Sequence, residues 1–250
     1  MKLSIVVPVY NESNYIRDVV KRVRNVNFSC SVEYILVDDC STDGSWDIIQ
    51  DIASECSEVI PIRQSVNRGK GAALHRGFRE ASGDVIAIQD ADFEYDPTDL
   101  PKLVEPILQN RADVVYGSRY HKNSHQVHRT FHYLVNRFLT LLSNLMSGLY
   151  LSDMETCYKV FKTEILQGLN LESSRFGFEP EVTAKLAKLD VRMEEHPISY
   201  APRHYDEGKN ISWKDGIAAV WFIFKYNLQP IKMAMTNIPA KYVPSGRLWL

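Results

Sequence analysis

The chain has 250 residues, 45% hydrophobic and 24% charged, which is enough apolar material for a full core and excludes a disordered or fibrous protein. Its 29 Lys and Arg against 31 Asp and Glu leave a formal charge of −2, so there is no basic excess to displace counterions, and nucleic acid is excluded as a partner. Cys30, Cys40, Cys56 and Cys157 show neither C-x-x-C pairing nor metal-ligand spacing, and are expected to be small, reduced core residues in a cytoplasmic setting.

From the N-terminus, Leu3-Ser4-Ile5-Val6-Val7-Pro8-Val9 is β-branched and apolar, which predicts a buried strand broken by Tyr10-Asn11-Glu12. No cationic leader precedes it, so no secretory signal is expected. Helical spacing follows over about residues 13–24. Residues 34–37 form a second strand, ended by Asp38-Asp39-Cys40-Ser41-Thr42-Asp43-Gly44, a run dense in turn formers and caps. Residues 46–53 have helical spacing, residues 59–62 form a strand weakened by Pro61, and residues 69–81 form a helix opened by glycines. A strand over residues 85–89 runs into Asp90-Ala91-Asp92, followed by a helix over 98–110 and a strand over 112–116. This steady alternation predicts an α/β fold with a mostly parallel, doubly wound sheet flanked by helices.

Ligands of such sheets sit outside the carboxyl ends of the strands, near the point where strand order reverses. Pro8-Val9-Tyr10-Asn11-Glu12, Asp38-Asp39 and Asp90-Ala91-Asp92 each follow a separate strand, so one fold brings them to one crevice. Paired carboxylates at the end of a buried strand are costly unless a cation neutralises them. Hard oxygen ligands select Mg²⁺ or Mn²⁺, and such ions keep positions open for substrate phosphates, so Asp90-x-Asp92 reads as a metal-diphosphate site. A turn or a cap ahead of Pro97 is the other use of the pair. Gly69-Lys70-Gly71 lacks the remainder of a P-loop, and Leu74 stands where a dinucleotide fingerprint has its third glycine. Its glycines would let backbone approach a ligand, with Arg68, Lys70 and the helix N-terminus supplying positive potential.

In the second half, Leu134, Phe138, Leu141, Leu142, Leu145 and Leu149 form an amphipathic helical stripe, expected to face the core. His121, His125, His128, His132, Arg129 and Arg137 lie just before or within it and are read as a solvated acceptor loop rather than a metal site. Residues 217–224, Ile-Ala-Ala-Val-Trp-Phe-Ile-Phe, fall short of the roughly 18 apolar residues of a transmembrane helix, and no such helix is expected. They suit an interfacial helix with Trp221 and Lys225 at the headgroups; packing on the domain, or on a second copy in a homo-oligomer, is the other use. The expected organisation is a catalytic domain over residues 1–215 and an amphipathic helical tail over 216–250.

The runs Val6-Val7-Pro8-Val9-Tyr10-Asn11-Glu12, Val37-Asp38-Asp39-Cys40-Ser41-Thr42-Asp43-Gly44, Asn67-Arg68-Gly69-Lys70-Gly71, Asp90-Ala91-Asp92 and Gly117-Ser118-Arg119-Tyr120 together resemble those of the inverting family 2 glycosyltransferases of GT-A (Rossmann-like) fold. Ser152-Asp153-Met154-Glu155-Thr156-Cys157-Tyr158-Lys159, Phe176-Gly177-Phe178-Glu179-Pro180-Glu181 and Arg203 through Lys209 bring the chain close to the dolichyl- and polyprenyl-phosphate mannose or glucose synthases. The resemblance covers residues 3–215. It implies that Pro8, Tyr10, Glu12 and Asp39 frame the base and ribose of a nucleotide-sugar, with Lys70, Asp90 and Ala91 on the ribose or sugar side. It implies Asp92 as a metal ligand with Glu94 beside it, where the mannose synthases have an amide. Cys40 stands where the family has Gly, read as an exchange of one small residue for another.

The resemblance further implies Asp153 as the catalytic carboxylate, with Glu155 in reserve, for an acceptor that is a hydroxyl and needs a general base. An acceptor that is already a phosphate needs none, and Arg119, Arg203 and Lys209 would position it. The expected activity is therefore transfer of a sugar from a nucleotide-sugar, UDP-sugar ahead of GDP-mannose, to a polyprenyl phosphate by a protein peripheral at the cytoplasmic membrane face. Transfer to a saccharide hydroxyl in cell-surface glycan assembly is the enzymatic alternative, and a silent nucleotide-sugar-binding module is the non-enzymatic one.

Overall fold

The computed structural model describes residues 1–120, 130–175, 177–202, 213–230 and 237–244. Seven strands form one sheet: β1 (Lys2–Val9), β2 (Ser31–Asp38), β3 (Val59–Arg63), β4 (Val85–Ile88), β5 (Val114–Ser118), β6 (Lys159–Lys162) and β7 (Met193–Pro197), in the order β3-β2-β1-β4-β6-β5-β7. Only β6 runs antiparallel to its neighbours. Strand β1 pairs with β2 from Lys2↔Ser31 to Val9↔Asp38, and with β4 from Leu3↔Val85 to Val6↔Ile88. The order reverses at β1, so the loops after β1, β2 and β4 open on a common crevice. The mostly parallel α/β sheet is as the strand pattern predicts.

The helices are α1 (Ile16–Arg24), α2 (Ser45–Glu55), α3 (Lys70–Glu80), α4 (Leu100–Leu108), α5 (Thr130–Ser147), α6 (Thr163–Gly168), α7 (Phe178–Leu186) and α8 (Trp213–Leu228). Several begin later than their spacing suggests. Residues 13–15 are a turn in which the Glu12 carbonyl accepts from Tyr15 and Ile16 N–H, and a 3-10 turn over Pro97–Asp99, capped by the Asp96 side chain, precedes α4. The fifth strand is likewise shifted, to Val114–Ser118, which carries Arg119 to its end.

The strands β1, β2 and β4 read as continuous apolar runs because both sheet faces are covered: Ile5, Val6, Ile35, Leu36, Val37 and Val85 are wholly or almost wholly buried. A second, smaller core joins α5 to α8 through Leu139, Met154, Ala219 and Ile223. The described part of the tail therefore docks on the domain through one side of α8.

The outer sides of these two helices correct one expectation. Leu134, Phe138, Leu141 and Leu145, expected to face the core, are 58%, 58%, 58% and 75% exposed; α5 instead turns Val135, Leu139, Leu142 and Met146 inward. On α8, Ile217, Trp221, Phe224 and Leu228 are exposed at matching spacing, and Tyr150, just beyond α5, is fully exposed. Among the described residues no helix is long and apolar enough to cross a membrane.

The four cysteines are free. Cys56 and Cys157 are buried as expected, whereas Cys30 and Cys40 are only half-buried. Cys40 has φ +61°, a left-handed conformation. Its position needs conformational freedom as well as small size, so Cys for Gly is not a neutral exchange.

Candidate active site

The donor side of the crevice is built from strand ends. Pro8 pairs with Val37 one position before the β1–β2 pairing ends at Val9↔Asp38, and Tyr10 follows β1 with its ring about half-exposed. The next residue, Asn11, takes φ +54° and accepts the Thr42 N–H at 2.9 Å, while the Glu12 N–H donates to Ser45 Oγ at 2.9 Å. The loops after β1 and β2 are thereby stitched together. Asp39 is buried and accepts from Gln64 Nε2 at 2.6 Å, Arg68 N at 2.9 Å and Gly69 N at 2.6 Å. It anchors the glycine loop to β2, a use that adds to any contact with a nucleoside.

That loop differs from expectation in what its glycines admit. Gly69 has φ +94°, and a Cβ on Gly71 would sit 2.2 Å from the Ser173 carbonyl oxygen. The close approach is by the chain's own 173–175 segment, which also receives the Ala72 N–H on the Ser174 carbonyl at 3.0 Å. Packed this way, Lys70 at the start of α3 reaches Asp90 at 2.8 Å and Glu179 at 3.6 Å. Burial works against the ammonium, but Asp90, then Cys157 and Glu179, outweigh it and hold the Lys70 pKa well above its usual value. Glu179 stands in the Phe176–Glu181 run that the resemblance quoted without giving it a role.

Beyond β4, Ala91 is buried and Asp92 nearly so. Asp92 Oδ1 accepts the Glu94 N–H at 3.0 Å, and Glu94 Oε2 accepts from Tyr200 Oη at 3.1 Å. Among the described residues no three His, Cys, Asp or Glu side chains form a complete metal cage. Asp92 and Glu94 are hard oxygen donors at the rim, the set that fits a Mg²⁺-like ion sharing its sphere with substrate phosphates and water.

The acceptor side is built from side chains. Arg119 directly follows β5 and is nearly buried; its Nε donates to Asp153 Oδ2 at 2.7 Å, its Nη2 to Oδ1 at 2.8 Å and its backbone N to Oδ2 at 3.0 Å. Burial opposes the charge, yet Asp153 and then Tyr95 raise the guanidinium pKa well above its usual value. The planar head lies 5.3 Å from the Tyr120 ring centroid and 5.1 Å from that of Tyr200. Tyr200 thus touches both halves, since its hydroxyl is on Glu94 and an isolated bridge ties it to Tyr95.

Asp153 is wholly buried, and both its oxygens are engaged by Arg119. In this geometry the carboxylate holds the guanidinium through both of its oxygens. Burial and then Glu179 push the Glu155 carboxyl up to about 8, and its Oε1 has no hydrogen-bond partner among the described residues. Arg203, Lys209, Arg129, His121, His125 and His128 lie outside the described residues.

A model described as glycosyl transferase family 2 matches residues 4–169. The chain belongs to glycosyl transferase family 2. This glycosyltransferase is 27% identical to a dolichol-phosphate mannosyltransferase of Pyrococcus furiosus over 100% of its own length and 72% of that protein. It is 31% identical to an undecaprenyl-phosphate mannosyltransferase of Micrococcus luteus, covering 84% of this chain and 87% of the relative. Among solved structures, glucosyl-3-phosphoglycerate synthase of Mycobacterium tuberculosis, crystallised with Mn²⁺, UDP and phosphoglyceric acid, superposes with a TM-score of 0.68 at 20% identity, covering 92% of this chain and 79% of that one. The transferase therefore has the GT-A fold.

Tyr200, which lies against Arg119 and bonds Glu94, is a crevice residue that the sequence does not single out. Tyr200 stands three positions before Arg203, which singled out that loop, but an aromatic there carries no signal of its own.

Proposed function

We propose that this glycosyltransferase moves a sugar from a nucleotide-sugar, UDP-linked in the first instance, to a polyprenyl phosphate at a membrane surface. The observation that carries the reading is the Arg119-Asp153 fork. A guanidinium kept charged and oriented at the end of β5, across the crevice from Asp92 and Glu94, suits the planar oxygens of a phosphate. A phosphate oxygen attacks the anomeric carbon as an anion, so the buried Asp153 has no proton to take, and its work is to set Arg119. Lys70 and Asp90 would orient the sugar and ribose, while Arg203 and Lys209 would complete the acceptor side.

Asp92 and Glu94 would hold Mg²⁺ or Mn²⁺, and such an ion supplies Lewis-acid stabilisation to the departing diphosphate. The Mycobacterium tuberculosis neighbour of the same fold was crystallised with Mn²⁺ and UDP. The relatives named for dolichol phosphate and undecaprenyl phosphate support the lipid acceptor.

A polyprenyl tail stays in the bilayer, so the crevice must come to it. The exposed rows Leu134, Phe138, Leu141, Leu145 on α5 and Ile217, Trp221, Phe224, Leu228 on α8 offer an interfacial face. At about 0.8 kcal/mol for each buried CH₂, partial insertion of a few of these side chains gives reversible binding. Together with four free thiols, this supports a protein peripheral at the cytoplasmic membrane face, with residues 1–215 as catalytic domain and 216–250 as an appended amphipathic tail. A second copy seated on the same rows, making a homo-oligomer, is the competing occupant.

The experiment is a panel of UDP- and GDP-sugars incubated with the protein, a divalent cation and short-chain polyprenyl phosphate, followed by butanol extraction. Label in the organic phase supports the reading; label only in water-soluble saccharide replaces it with the hydroxyl-acceptor alternative.

A further inference from the structure

Residues 151–154, which carry Asp153, belong to no helix or strand, and their backbone donors find no backbone acceptor. Each of the four N–H groups ends on a side chain instead. Leu151 N donates to Asn144 Oδ1 at 3.1 Å, and the Asn144 Nδ2 returns a bond to the Leu151 carbonyl at 2.8 Å. Ser152 N reaches both Glu195 oxygens, at 3.0 and 2.9 Å, and Asp153 N reaches Glu195 Oε1 at 3.0 Å. Met154 N donates to Thr140 Oγ1 at 3.1 Å, and Arg137 Nη1 donates to the Ser152 carbonyl at 3.1 Å.

The partners come from two elements. Arg137, Thr140 and Asn144 are spaced i, i+3, i+7 and so line one face of α5, beside its exposed leucine row. Glu195 comes from β7, the edge strand, where it pairs with Tyr116 of β5. Its neighbour Glu194 is paired with Arg111 at 3.1 Å and His196 at 2.9 Å, but among the described residues Glu195 has no cationic partner. Its charge is directed at two successive amides, an arrangement that favours an anionic acceptor.

We infer that Glu195 and Asn144 are positioning residues for the acceptor site: they fix the 151–154 turn, the turn fixes Asp153, and Asp153 fixes Arg119. The inference rests on the proposal that Arg119 receives the acceptor phosphate. Without Glu195, two partly buried N–H groups lose their acceptor, and the turn must rotate to find another. A rotated turn carries the Asp153 carboxylate away from the plane of the guanidinium. The relay from Glu195 to Arg119 contains no residue from the ends of β1, β2 or β4 and meets the donor side through Tyr200, which lies against Arg119 and bonds Glu94, so the larger effect falls on the acceptor.

The test uses the full chain with short-chain polyprenyl phosphate in detergent, and calorimetry of the nucleotide-sugar as the separate donor readout. Glu195→Ala and Asn144→Ala are each expected to raise the acceptor KM about tenfold, as for loss of one or two charge-assisted or buried hydrogen bonds, with donor affinity changed less than about twofold. Glu195→Gln should recover most of the loss, because its amide oxygen still accepts from Ser152 and Asp153. A purely structural role would weaken donor and acceptor together and would gain nothing from Gln; that result, or an unchanged acceptor KM in both alanine variants, overturns the inference. Arg119→Lys is the control: an unchanged acceptor KM there means the acceptor-phosphate reading itself fails and takes the inference with it. A raised KM in Arg119→Lys with none in Glu195→Ala and Asn144→Ala removes the inference alone. Should Glu195→Ala not fold, Asn144→Ala decides.

Discussion

The two sides of the crevice are made by different means. On the donor side, parallel strands end in register, and short loops deliver Tyr10, Asp39, Asp90 and Asp92 to the rim with backbone geometry doing most of the placing. On the acceptor side, Arg119 is placed by a relay of side chains, Asp153 to a turn, and that turn to Glu195, Thr140 and Asn144 on two further elements. A site set by strand register tolerates substitution of its neighbours, whereas a site set by a side-chain relay is sensitive at each link. On the proposed function, the difference separates binding of a common nucleotide-sugar from recognition of a particular acceptor.

The largest expected effect lies on the donor side. If Asp92 holds the proposed cation, Asp92→Asn removes one of its anionic ligands, and transfer should fall on the order of 10³-fold with any acceptor. Chelator should abolish turnover of the wild type and added Mg²⁺ or Mn²⁺ restore it; full turnover in chelator would remove the metal assignment. Next comes Asp153→Asn, which leaves the buried Arg119 without its counter-charge and should lower acceptor transfer on the order of 10²-fold while donor hydrolysis persists. A loss shared by transfer and hydrolysis would erase the distinction between the two sides.

The membrane face gives an intermediate effect. Phe222 belongs to the inner side, where a Cβ on Gly177 would meet its ring at 2.8 Å and Tyr226 stacks on it at 5.9 Å, so the informative pair is Trp221→Ser with Phe224→Ser. Sedimentation with anionic vesicles should drop about tenfold, and wild-type binding should weaken with salt, while donor hydrolysis is retained. Wild type left in the supernatant at low salt would transfer the apolar rows to a protein partner, with dimerisation in solution as the check.

Two smaller effects concern stability. Because burial, and then Glu179, lift the folded-state pKa of Glu155 to about 8, the native state holds a proton that the unfolded chain releases above about pH 4.5. The stabilisation is therefore complete below that pH and is lost as pH rises to about 8. Thermal melts across this window should fall for the wild type and be flatter for Glu155→Gln; equal slopes would contradict the placement of Glu155 in a desolvated pocket. Cys40→Gly, which relieves the left-handed φ of +61°, should raise stability by about 1 kcal/mol in denaturant titration.

Much of the donor side was legible because one-dimensional patterns suffice for it. Apolar runs that stop on Tyr10, Asp38-Asp39 and Asp90-Ala91-Asp92 become strand ends, and alternation with helices makes those ends neighbours. The acceptor side was legible only in its endpoints. Arg119 and Asp153 are visible as motif residues, but that the carboxylate is committed to the guanidinium depends on a contact between positions 34 apart. The orientation of α5 was misjudged for a related reason: Val135, Leu139, Leu142 and Met146 form a second apolar row beside Leu134, Phe138, Leu141 and Leu145, and spacing cannot say which row meets α8. Cys40 shows a third limit, since small size can be read from a residue name and a φ angle cannot.

The most direct measurement compares a polyprenyl phosphate with the matching polyprenol as acceptors, in the same detergent, with the same nucleotide-sugar and cation, reading label in the butanol phase. The account predicts transfer to the phosphate and none to the alcohol, with the acceptor KM raised in Arg119→Lys. Transfer to the alcohol, or to a saccharide hydroxyl with the lipid phosphate untouched, would contradict it and return Asp153 or Glu155 to the role of general base.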